Sequence, residues 1–338
     1  MKAAILCLPL CLLPPSVVAQ ERLPILDVHL HASAADQQGP PPLAMCTPMA
    51  PFPAWDPSRP YGEAFMARFK EPRCPDPVWS PVMDEELMTQ TIDVMDRLNI
   101  VGVLSGTEPD RIARWMAAAP DRFIPGLVLQ FGDSGADFST DSLRSLHAAG
   151  RLAVLGEVVN QFAGIAPDDH RMEPYWALAE ELDIPVGIHV GPGPSGVIYL
   201  GAARYRARLG SALTMEEVLV RHPKLRVYIM HAGYPMLDDL LAVLYAHPQV
   251  YVDVGVIVFT QPRPAFYRYL RGIVEAGFEN RVMFGSDQMI WPGVIERAVA
   301  VIEEAPFLSE QQKRDILYNN AARFLRLSED EIARHHRM

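Results

Sequence analysis

Cysteine is scarce in this sequence. Only four of the 338 residues are cysteine, and two of them, Cys7 and Cys11, belong to an apolar N-terminal stretch. Too few remain to complete the thiolate set of a structural zinc site, so a metal site built on Cys46 and Cys74 is the weaker interpretation of this pair. In an oxidising compartment two such cysteines can join to each other. We therefore expect a Cys46–Cys74 disulfide.

Positive charge is also in short supply. The chain has 30 Lys and Arg residues against 41 Asp and Glu residues, a formal net charge of −11. Because an acidic surface repels phosphate groups, binding to nucleic acid or to an anionic membrane is disfavoured. Beyond the N-terminal stretch, no apolar run approaches the roughly 20 residues that a transmembrane helix needs. The sequence predicts no membrane span in the mature protein.

Residues 1–19 have the composition of an export signal. Lys2 provides the positive start, Ala3 to Leu13 form the apolar centre, and Val17-Val18-Ala19 is a small-residue cleavage site. This order of segments is typical of a secretory signal peptide, which is removed from the mature protein. We expect an exported protein, periplasmic or secreted, that begins at Gln20.

No Gly-x-Gly-x-x-Gly motif follows the first apolar strand, which removes the usual reason to expect a dinucleotide-binding open sheet. Instead, apolar Val/Ile/Leu-rich strands alternate with helical patterns, as in parallel sheets covered by helices. We predict an α/β fold in which one domain, 20–338, forms a (β/α)8 TIM barrel with C-terminal helices. A doubly wound sheet is the alternative. The predicted strands are 23–30, 100–104, 123–131, 152–159, 184–190, 225–230, 250–257 and 281–284.

A proline-rich segment, 34–83, interrupts the alternation after the first strand. Proline lacks a backbone donor and fixes φ, so neither a long helix nor a central strand is expected over most of it. Its aromatic residues, including Trp55, Tyr61 and Phe65, argue against a solvated linker. We interpret it as a packed insertion that forms a lid over the pocket, pinned by Cys46 and Cys74.

Three helix starts are marked by capping patterns. Thr214-x-x-Glu217 and Ser309-x-x-Gln312 both match the capping box, in which side chains and backbone amides pair reciprocally. Ser328 is expected to begin a last short helix. Its polar end, 335–337, is expected to fray.

Side chains that commonly bind metals follow several of the predicted strands. His29 and His31 share one face of the first strand, because alternate residues of a strand point the same way. Active-site groups of barrels lie at the carboxyl ends of the strands, so side chains at those positions should meet. The full set is His29, His31, Glu157, His189, His231 and Asp287. The remaining histidines have ordinary structural interpretations: His147, His170, His222, His247, His335 and His336.

These motifs together resemble the amidohydrolase superfamily, and in particular its branch with aminocarboxymuconate-semialdehyde decarboxylase and pyrone dicarboxylate lactonase. The resemblance rests on five segments spread over nearly the whole mature chain. They are Asp27-Val28-His29-Leu30-His31, Ile188-His189-Val190-Gly191, Met230-His231-Ala232-Gly233, Phe284-Gly285-Ser286-Asp287 and Tyr318-Asn319-Asn320-Ala321-Ala322-Arg323.

The resemblance implies a catalytic divalent metal, most often zinc, bound by His29, His31, His189 and Asp287. It implies that His231 is a ligand to a second metal or a catalytic group beside the first. Glu157 falls where binuclear relatives supply a bridging carboxylate, whereas a salt-bridged barrel residue is the alternative. One or two ions are therefore compatible with the sequence.

Two aspartates accompany this set. Asp27 is expected to support the metal ligands from deeper in the barrel. Asp253 either lines the pocket or is an ordinary buried, hydrogen-bonded aspartate.

The chemistry that follows is metal-assisted hydrolysis of an amide, lactone or other carboxylic ester of a small molecule. Asp287 would transfer the proton of water, and His231 would polarise the carbonyl. The alternatives are a metal-dependent decarboxylase of an unsaturated acid and a non-catalytic exported barrel that binds a metal or ligand. Arg204, Tyr205 and Trp291 are candidate substrate contacts. A homo-oligomer is compatible with the sequence.

Overall fold

The computed structural model describes residues 22–52, 54–132 and 135–338, so the predicted signal segment 1–19 lies outside the described residues. Within these ranges the strands are β1 (Ile25–His31), β2 (Ala44–Met45), β3 (Val78–Trp79), β4 (Ile100–Ser105), β5 (Phe123–Gly132), β6 (Gly135–Ala136), β7 (Val154–Val159), β8 (Val186–Ile188), β9 (Val227–Ile229), β10 (Val250–Asp253) and β11 (Val282–Met283).

Helices follow most of these strands. They are α1 (Tyr61–Lys70), α2 (Asp84–Leu98), α3 (Pro109–Ala118), α4 (Thr140–Ala148), α5 (Glu173–Glu181), α6 (Glu216–Arg221), α7 (Leu237–Ala246), α8 (Ile257–Thr260), α9 (Arg263–Glu275), α10 (Gly293–Glu303), α11 (Glu310–Arg314), α12 (Asn320–Leu325) and α13 (Glu329–His335). Among the described residues, none of the helices combines the length and the apolar character needed to cross a bilayer.

The main sheet is a nearly closed parallel barrel. Its strands pair in the order β1, β4, β5, β7, β8, β9, β10 and β11, while the short β6 pairs antiparallel with β5. At the seam, the Val28 amide donates to the carbonyl of Phe284 at 3.0 Å and the Asp287 amide donates to the carbonyl of His29 at 2.8 Å. The predicted TIM barrel is confirmed, because strands buried on both faces can satisfy their backbone groups only by pairing with neighbours.

The barrel interior is tightly packed around Tyr228. Its ring is fully buried, and its hydroxyl donates to the carbonyl oxygens of Val28 at 3.1 Å and Gly156 at 3.0 Å. Gly187 on β8 leaves the space for this ring, since a Cβ there would lie 2.4 Å from Tyr228 Cζ. One aromatic side chain therefore links three strands below the mouth of the barrel.

Substituting Gly187 by alanine should destabilise the barrel by about 1–3 kcal/mol, the usual range for overpacking a core. The added methyl group must displace the Tyr228 ring and its hydrogen bonds. Urea denaturation would measure the loss. Gly132→Ala is the matched control, because its added Cβ meets no atom within 4 Å. Equal free energies of unfolding for the two variants would contradict the packing role of Gly187.

The insertion after β1 contains both regular and irregular backbone. The two-residue strands β2 and β3 pair antiparallel, and α1 occupies the proline-free interval between Pro60 and Pro72. Between β2 and β3, the Cα atoms of Cys46 and Cys74 lie 5.8 Å apart, with the two sulfur atoms at bonding distance. The strand pair and the two cysteines therefore both join the part of the insertion before α1 to the part after it.

Three local expectations are corrected by the structure. The seventh barrel strand ends at Asp253 rather than continuing to 257, because the Asp253 carboxylate accepts a hydrogen bond from the Gly255 amide and the chain then turns through Val256 at φ 53°. The predicted capping box at Thr214 does not form. Instead, Ser211 caps a short 3-10 turn that precedes α6.

The third correction concerns the C-terminus. The residues after Ser328 were expected to end in a frayed tail, yet His335 is only 3% exposed and its Nδ1 lies 2.9 Å from the hydroxyl of Tyr318. The capping boxes at Ser309 and Ser328 are both present. Packing therefore holds His335, whereas His336 and Arg337 are exposed.

Candidate active site

Two histidines of β1 begin the site. His29 and His31 are separated by one residue, and their rings lie 5.1 Å apart. Both are buried, with 2% and 9% of their surface exposed. Strand alternation thus delivers two imidazoles to the same end of the barrel.

Two further histidines follow neighbouring strands. His189 comes directly after β8, and His231 lies in a tight turn after β9, at φ 55°. The two rings are 4.7 Å apart, and the His231 ring is 5.3 Å from that of His29. The four histidines predicted from the strand ends therefore meet at one place.

Two carboxylates complete the cluster. His31 Nε2 is 3.1 Å from Asp287 Oδ1 and 3.7 Å from Glu157 Oε2, while His29 Nε2 is 3.7 Å from Asp287 Oδ1. Asp287 adopts φ 53° in the loop after β11. Two groups, His29–His31–Asp287 and Glu157–His189–His231, each place one ligand atom per residue within 4.8 Å of the others.

Hydrogen bonds orient three of the imidazoles in the same sense. His29 Nδ1 is 3.0 Å from Asp253 Oδ2, and His189 Nδ1 is 2.9 Å from Gln161 Oε1. His231 Nδ1 is 2.9 Å from the carbonyl oxygen of Gly255. When the Nδ1–H donates to an oxygen, Nε2 is left with a lone pair for a ligand. All three rings thus offer Nε2.

Asp253 is the aspartate that supports the histidines. Its Oδ2 contacts the His29 ring, and its Oδ1 accepts from the amides of His231 at 2.9 Å and Gly255 at 2.8 Å. Asp27, which was predicted to support the metal ligands from deeper in the barrel, accepts from the amides of His29 and Ser286, each at 3.0 Å. Asp27 therefore holds the backbone at the barrel seam, whereas Asp253 contacts an imidazole.

Sequence reasoning missed two glutamines. Gln288 pairs with both backbone groups of His31, accepting from its amide at 3.0 Å and donating to its carbonyl at 2.8 Å. Gln161 connects His189 to the following loop by donating to the carbonyl of Gly191 at 3.1 Å. Both side chains are fully buried. Gln288 stands next to Asp287 in the sequence, which is the one signal that could have revealed it.

The electrostatic field of the cluster favours positive charge. Burial lowers the pKa of His29, but Asp287 and Asp253 outweigh it and raise that pKa to about 10. Burial raises the pKa of Asp287, but the neighbouring His29 and His31 outweigh this effect and hold that pKa well below its usual range. Burial lowers the pKa of His189 far enough to favour a neutral imidazole. Deeper in the barrel, burial raises the pKa of Asp27 to about 6.

The residues present fit a divalent metal ion. His29 Nε2 is buried and has no hydrogen-bond partner among the described residues, an unfavourable arrangement unless a ligand completes it. Imidazole nitrogens and carboxylate oxygens are the ligands that zinc and similar ions take. A third group, His29–His231–Asp253, is less suitable, because both Asp253 oxygens already accept hydrogen bonds.

Glycines allow the close packing around His29. A Cβ on Gly255 would lie 2.7 Å from His29 Nδ1, and a Cβ on Gly285 would lie 2.9 Å from His29 Cβ. The ring is therefore fixed on two sides by backbone. Such fixation holds Nε2 ready for a ligand.

Comparison with known proteins agrees with this arrangement. A family model described as amidohydrolase matches residues 26–327. The chain belongs to the amidohydrolase family. Its members are enzymes, and this chain is one of them. No curated protein sequence matches this amidohydrolase at a significant level.

Solved structures share the barrel at low sequence identity. An uncharacterised TIM-barrel protein from Bordetella bronchiseptica is 17% identical, with a TM-score of 0.61 over 92% of this chain and 100% of that one. A probable 2-pyrone-4,6-dicarboxylic acid hydrolase from Acinetobacter baumannii is 16% identical, with a TM-score of 0.56 over 90% and 100%. A 2,6-dihydroxybenzoate decarboxylase from Rhizobium is 17% identical, with a TM-score of 0.55 over 91% of this chain and 99% of that one. These similarities establish the fold.

The site of this amidohydrolase opens into a cavity of about 250 Å³. His31, Glu157, His189, His231 and Asp287 form its floor. Side chains of the insertion form much of its wall, namely Met45, Met49, Phe52, Phe65 and Phe69. The proline-rich segment thus lies over the site, where the sequence had suggested a lid.

The three predicted substrate contacts have different positions. Trp291 is buried in the cavity wall, where its ring stacks 5.7 Å from that of Phe69 and its Nε1 donates to the Leu43 carbonyl at 2.8 Å. Tyr205 lies behind the wall and donates to the Gly191 carbonyl at 3.2 Å. Arg204 is exposed. The structure places neither Arg204 nor Tyr205 among the described residues that line the cavity.

Proposed function

We propose that this amidohydrolase is a metal-dependent hydrolase that cleaves an amide, lactone or other carboxylic ester of a small molecule. One observation carries the proposal: three imidazoles with Nδ1 engaged offer Nε2 at a mouth that also holds Asp287 and Glu157. Binding of a divalent cation would displace the proton that His29 otherwise holds at neutral pH, and the resulting set of neutral nitrogens and carboxylates suits such an ion.

The ligands proposed for the ion, with zinc the expected metal, are His29, His31, His189 and Asp287. When bound there, a divalent ion acts as a Lewis acid and lowers the pKa of water to about 7. Asp287 then accepts the proton of the attacking water and returns it to the leaving group. His231 either hydrogen-bonds the substrate carbonyl or joins Glu157 in holding a second ion.

The number of ions tests the role of Glu157. We expect the purified wild-type protein to contain two metal equivalents and Glu157→Ala to retain one, because Glu157 is the carboxylate whose oxygen lies within 4.8 Å of ligand atoms of His189 and His231. Elemental analysis after gel filtration measures this ratio. Glu275→Ala, which removes an exposed carboxylate in α9, is the matched control. An identical metal content in all three proteins would show that Glu157 holds no ion.

A decarboxylase is the second candidate, and the fold shared with 2,6-dihydroxybenzoate decarboxylase supports it. The same residues would then hold an ion to which the substrate carboxyl group could bind, and a proton would have to replace the CO2 on the carbon that it leaves. Product analysis separates the two reactions, since a hydrolase adds water across a bond and a decarboxylase releases CO2. Release of CO2 from an aromatic acid, with no hydrolysis of esters or amides, would overturn the hydrolase proposal.

Export is part of the proposal. The composition of residues 1–19 and the proximity of Cys46 and Cys74 both suit a protein that folds in an oxidising compartment. In a bacterial host, we expect the mature protein in the periplasm or medium, starting at Gln20 and without titratable thiols. N-terminal sequencing and thiol titration under denaturing conditions measure both. Retention of Met1 in the cytoplasm would contradict export.

A further inference from the structure

We infer that the substrate of the proposed hydrolase carries an uncharged, mainly apolar group beyond its reacting carbonyl. This inference rests on the proposed function for the chemistry, but its evidence is separate and lies in the upper part of the cavity. There the walls determine which substituents are accepted.

The upper wall is largely aromatic and sulfur-containing. Phe65, Phe69 and Trp291 contribute neighbouring rings, Phe162 contributes a ring from the segment after β7, and Met289 contributes a thioether. The Phe69 and Trp291 rings are stacked at an interplanar angle of 20°. Aromatic and thioether surfaces gain most from apolar or aromatic ligands. The volume, about 250 Å³, is below the roughly 300–1,000 Å³ typical of drug-sized ligands, so the group has about the size of one ring.

The wall provides no positive charge. Among the described residues that line the cavity, none is Lys or Arg, and the polar ones above the floor are uncharged serine, threonine and glutamine side chains such as Ser33, Gln37 and Thr260. Among the described residues that line the cavity, Glu157 and Asp287 carry the formal negative charges, and both belong to the proposed metal-binding cluster at the floor. A carboxylate on the substrate, away from the reacting carbonyl, would lose its water of hydration without gaining a cationic partner from the wall, and this desolvation is costly.

Arg68 is the basic residue whose contacts reach this wall. Its guanidinium donates to the carbonyl of Met49 and lies 4.9 Å from the centre of the Phe52 ring. It lines an adjoining cavity within the insertion, which shares Met45, Met49 and Phe69 with the active cavity. One of its N–H groups is therefore bound to the backbone of the lid, and Arg68 is not among the described residues that line the active cavity.

Matched esters test this inference on the metal-loaded full-length mature protein. Phenyl acetate and 4-acetoxybenzoate share the scissile bond, but the second carries a carboxylate on the ring. We expect kcat/KM to be at least about tenfold higher for phenyl acetate, since the carboxylate on the other ring must be desolvated against a wall that holds no Lys or Arg among its described residues. Equal values, or a preference for 4-acetoxybenzoate, would overturn the inference while leaving the hydrolase proposal intact.

Two variants at Gln37 locate the effect in the wall. Gln37 is exposed at the rim of the cavity, so Gln37→Arg adds a cation there and Gln37→Met adds comparable length without charge. We expect Gln37→Arg to lower the ratio of kcat/KM for phenyl acetate to kcat/KM for 4-acetoxybenzoate severalfold. We expect Gln37→Met to leave this ratio unchanged. A preference that is unchanged by both would mean that the missing cation is not its cause.

Arg68→Gln and a binding measurement cover the remaining outcomes. If 4-acetoxybenzoate is preferred and Arg68→Gln removes that preference, Arg68 enters the cavity and the inference is wrong. If neither ester is hydrolysed, the result counts against the hydrolase proposal and not against the inference about the wall. The inference is then tested by calorimetric binding of phenol and of 4-hydroxybenzoate. Tighter binding of phenol supports it, and tighter binding of 4-hydroxybenzoate overturns it.

Discussion

Asp287→Asn should lower kcat for a hydrolysed ester by about 10²- to 10⁴-fold, the range that a positioned proton-transfer group contributes. Asp287 Oδ1 lies 3.1 Å from His31 Nε2 and 3.7 Å from His29 Nε2, so this carboxylate approaches the Nε2 atoms of both histidines of β1. The neighbouring imidazoles keep its pKa low, and it is therefore ionised and able to accept a proton over the whole neutral range. An amide at this position keeps the shape but cannot accept that proton.

The measurement is kcat with phenyl acetate, made alongside metal content and the thermal unfolding midpoint. Metal content separates loss of proton transfer from loss of the ion, because Asp287 is also a proposed ligand. Asp121→Asn is the control, since Asp121 is an exposed carboxylate in the turn after α3. Wild-type kcat in Asp287→Asn, with metal bound, would remove Asp287 from the proposed mechanism.

Asp253→Asn should weaken metal binding by about 10- to 100-fold, as is usual when a group that orients a metal-binding histidine is changed. Asp253 has three contacts at the site, to the His29 ring and to the amides of His231 and Gly255. The neutral amide can still accept from the backbone, but it no longer provides the negative charge that holds the Nδ1 proton of His29 in place. The ring then loses its preferred orientation.

Competition with a chelator measures this affinity. Asp27→Asn is a closely matched control, because Asp27 is equally buried and is hydrogen-bonded to His29, but only through backbone amides. We expect Asp27→Asn to retain an affinity within a few fold of wild type. If Asp253→Asn binds metal as tightly as the control does, the orientation of His29 must be set by the packing of Gly255 and Gly285 instead.

The barrel and the position of its site could be predicted because both depend on repeating patterns. Apolar strands recur between helices, and a polar residue directly after such a strand must lie at the carboxyl end of the barrel. This is why His189, His231 and Asp287 could be placed next to His29 without any contact being known. The same reasoning could not assign Asp253, because a buried aspartate at a strand end fits either of two roles.

What could not be predicted lies in irregular backbone. Gln161 and Gln288 bind histidines from loops whose conformation has no periodic signal, so no pattern connects them to their partners. Arg204 was one candidate substrate contact, and in the structure it is exposed and is not among the described residues that line the cavity. The early end of β10 was missed for a related reason, since an aspartate side chain competes with the strand for the Gly255 amide.

The two ends of the insertion lie close together, because the Ala35 amide donates to Asp84 Oδ1 at 2.8 Å and Ala44–Met45 pairs with Val78–Trp79 further in. A segment with adjacent ends can be exchanged for another of different length without moving its anchors. The hydrolytic centre depends on the barrel strands and the loops after them, whereas the wall facing the ligand depends largely on this segment. Grafting a different segment between the same two ends would therefore change the wall that contacts the ligand and so the substrate selectivity. The cluster of histidines, which belongs to the barrel, would be left unchanged.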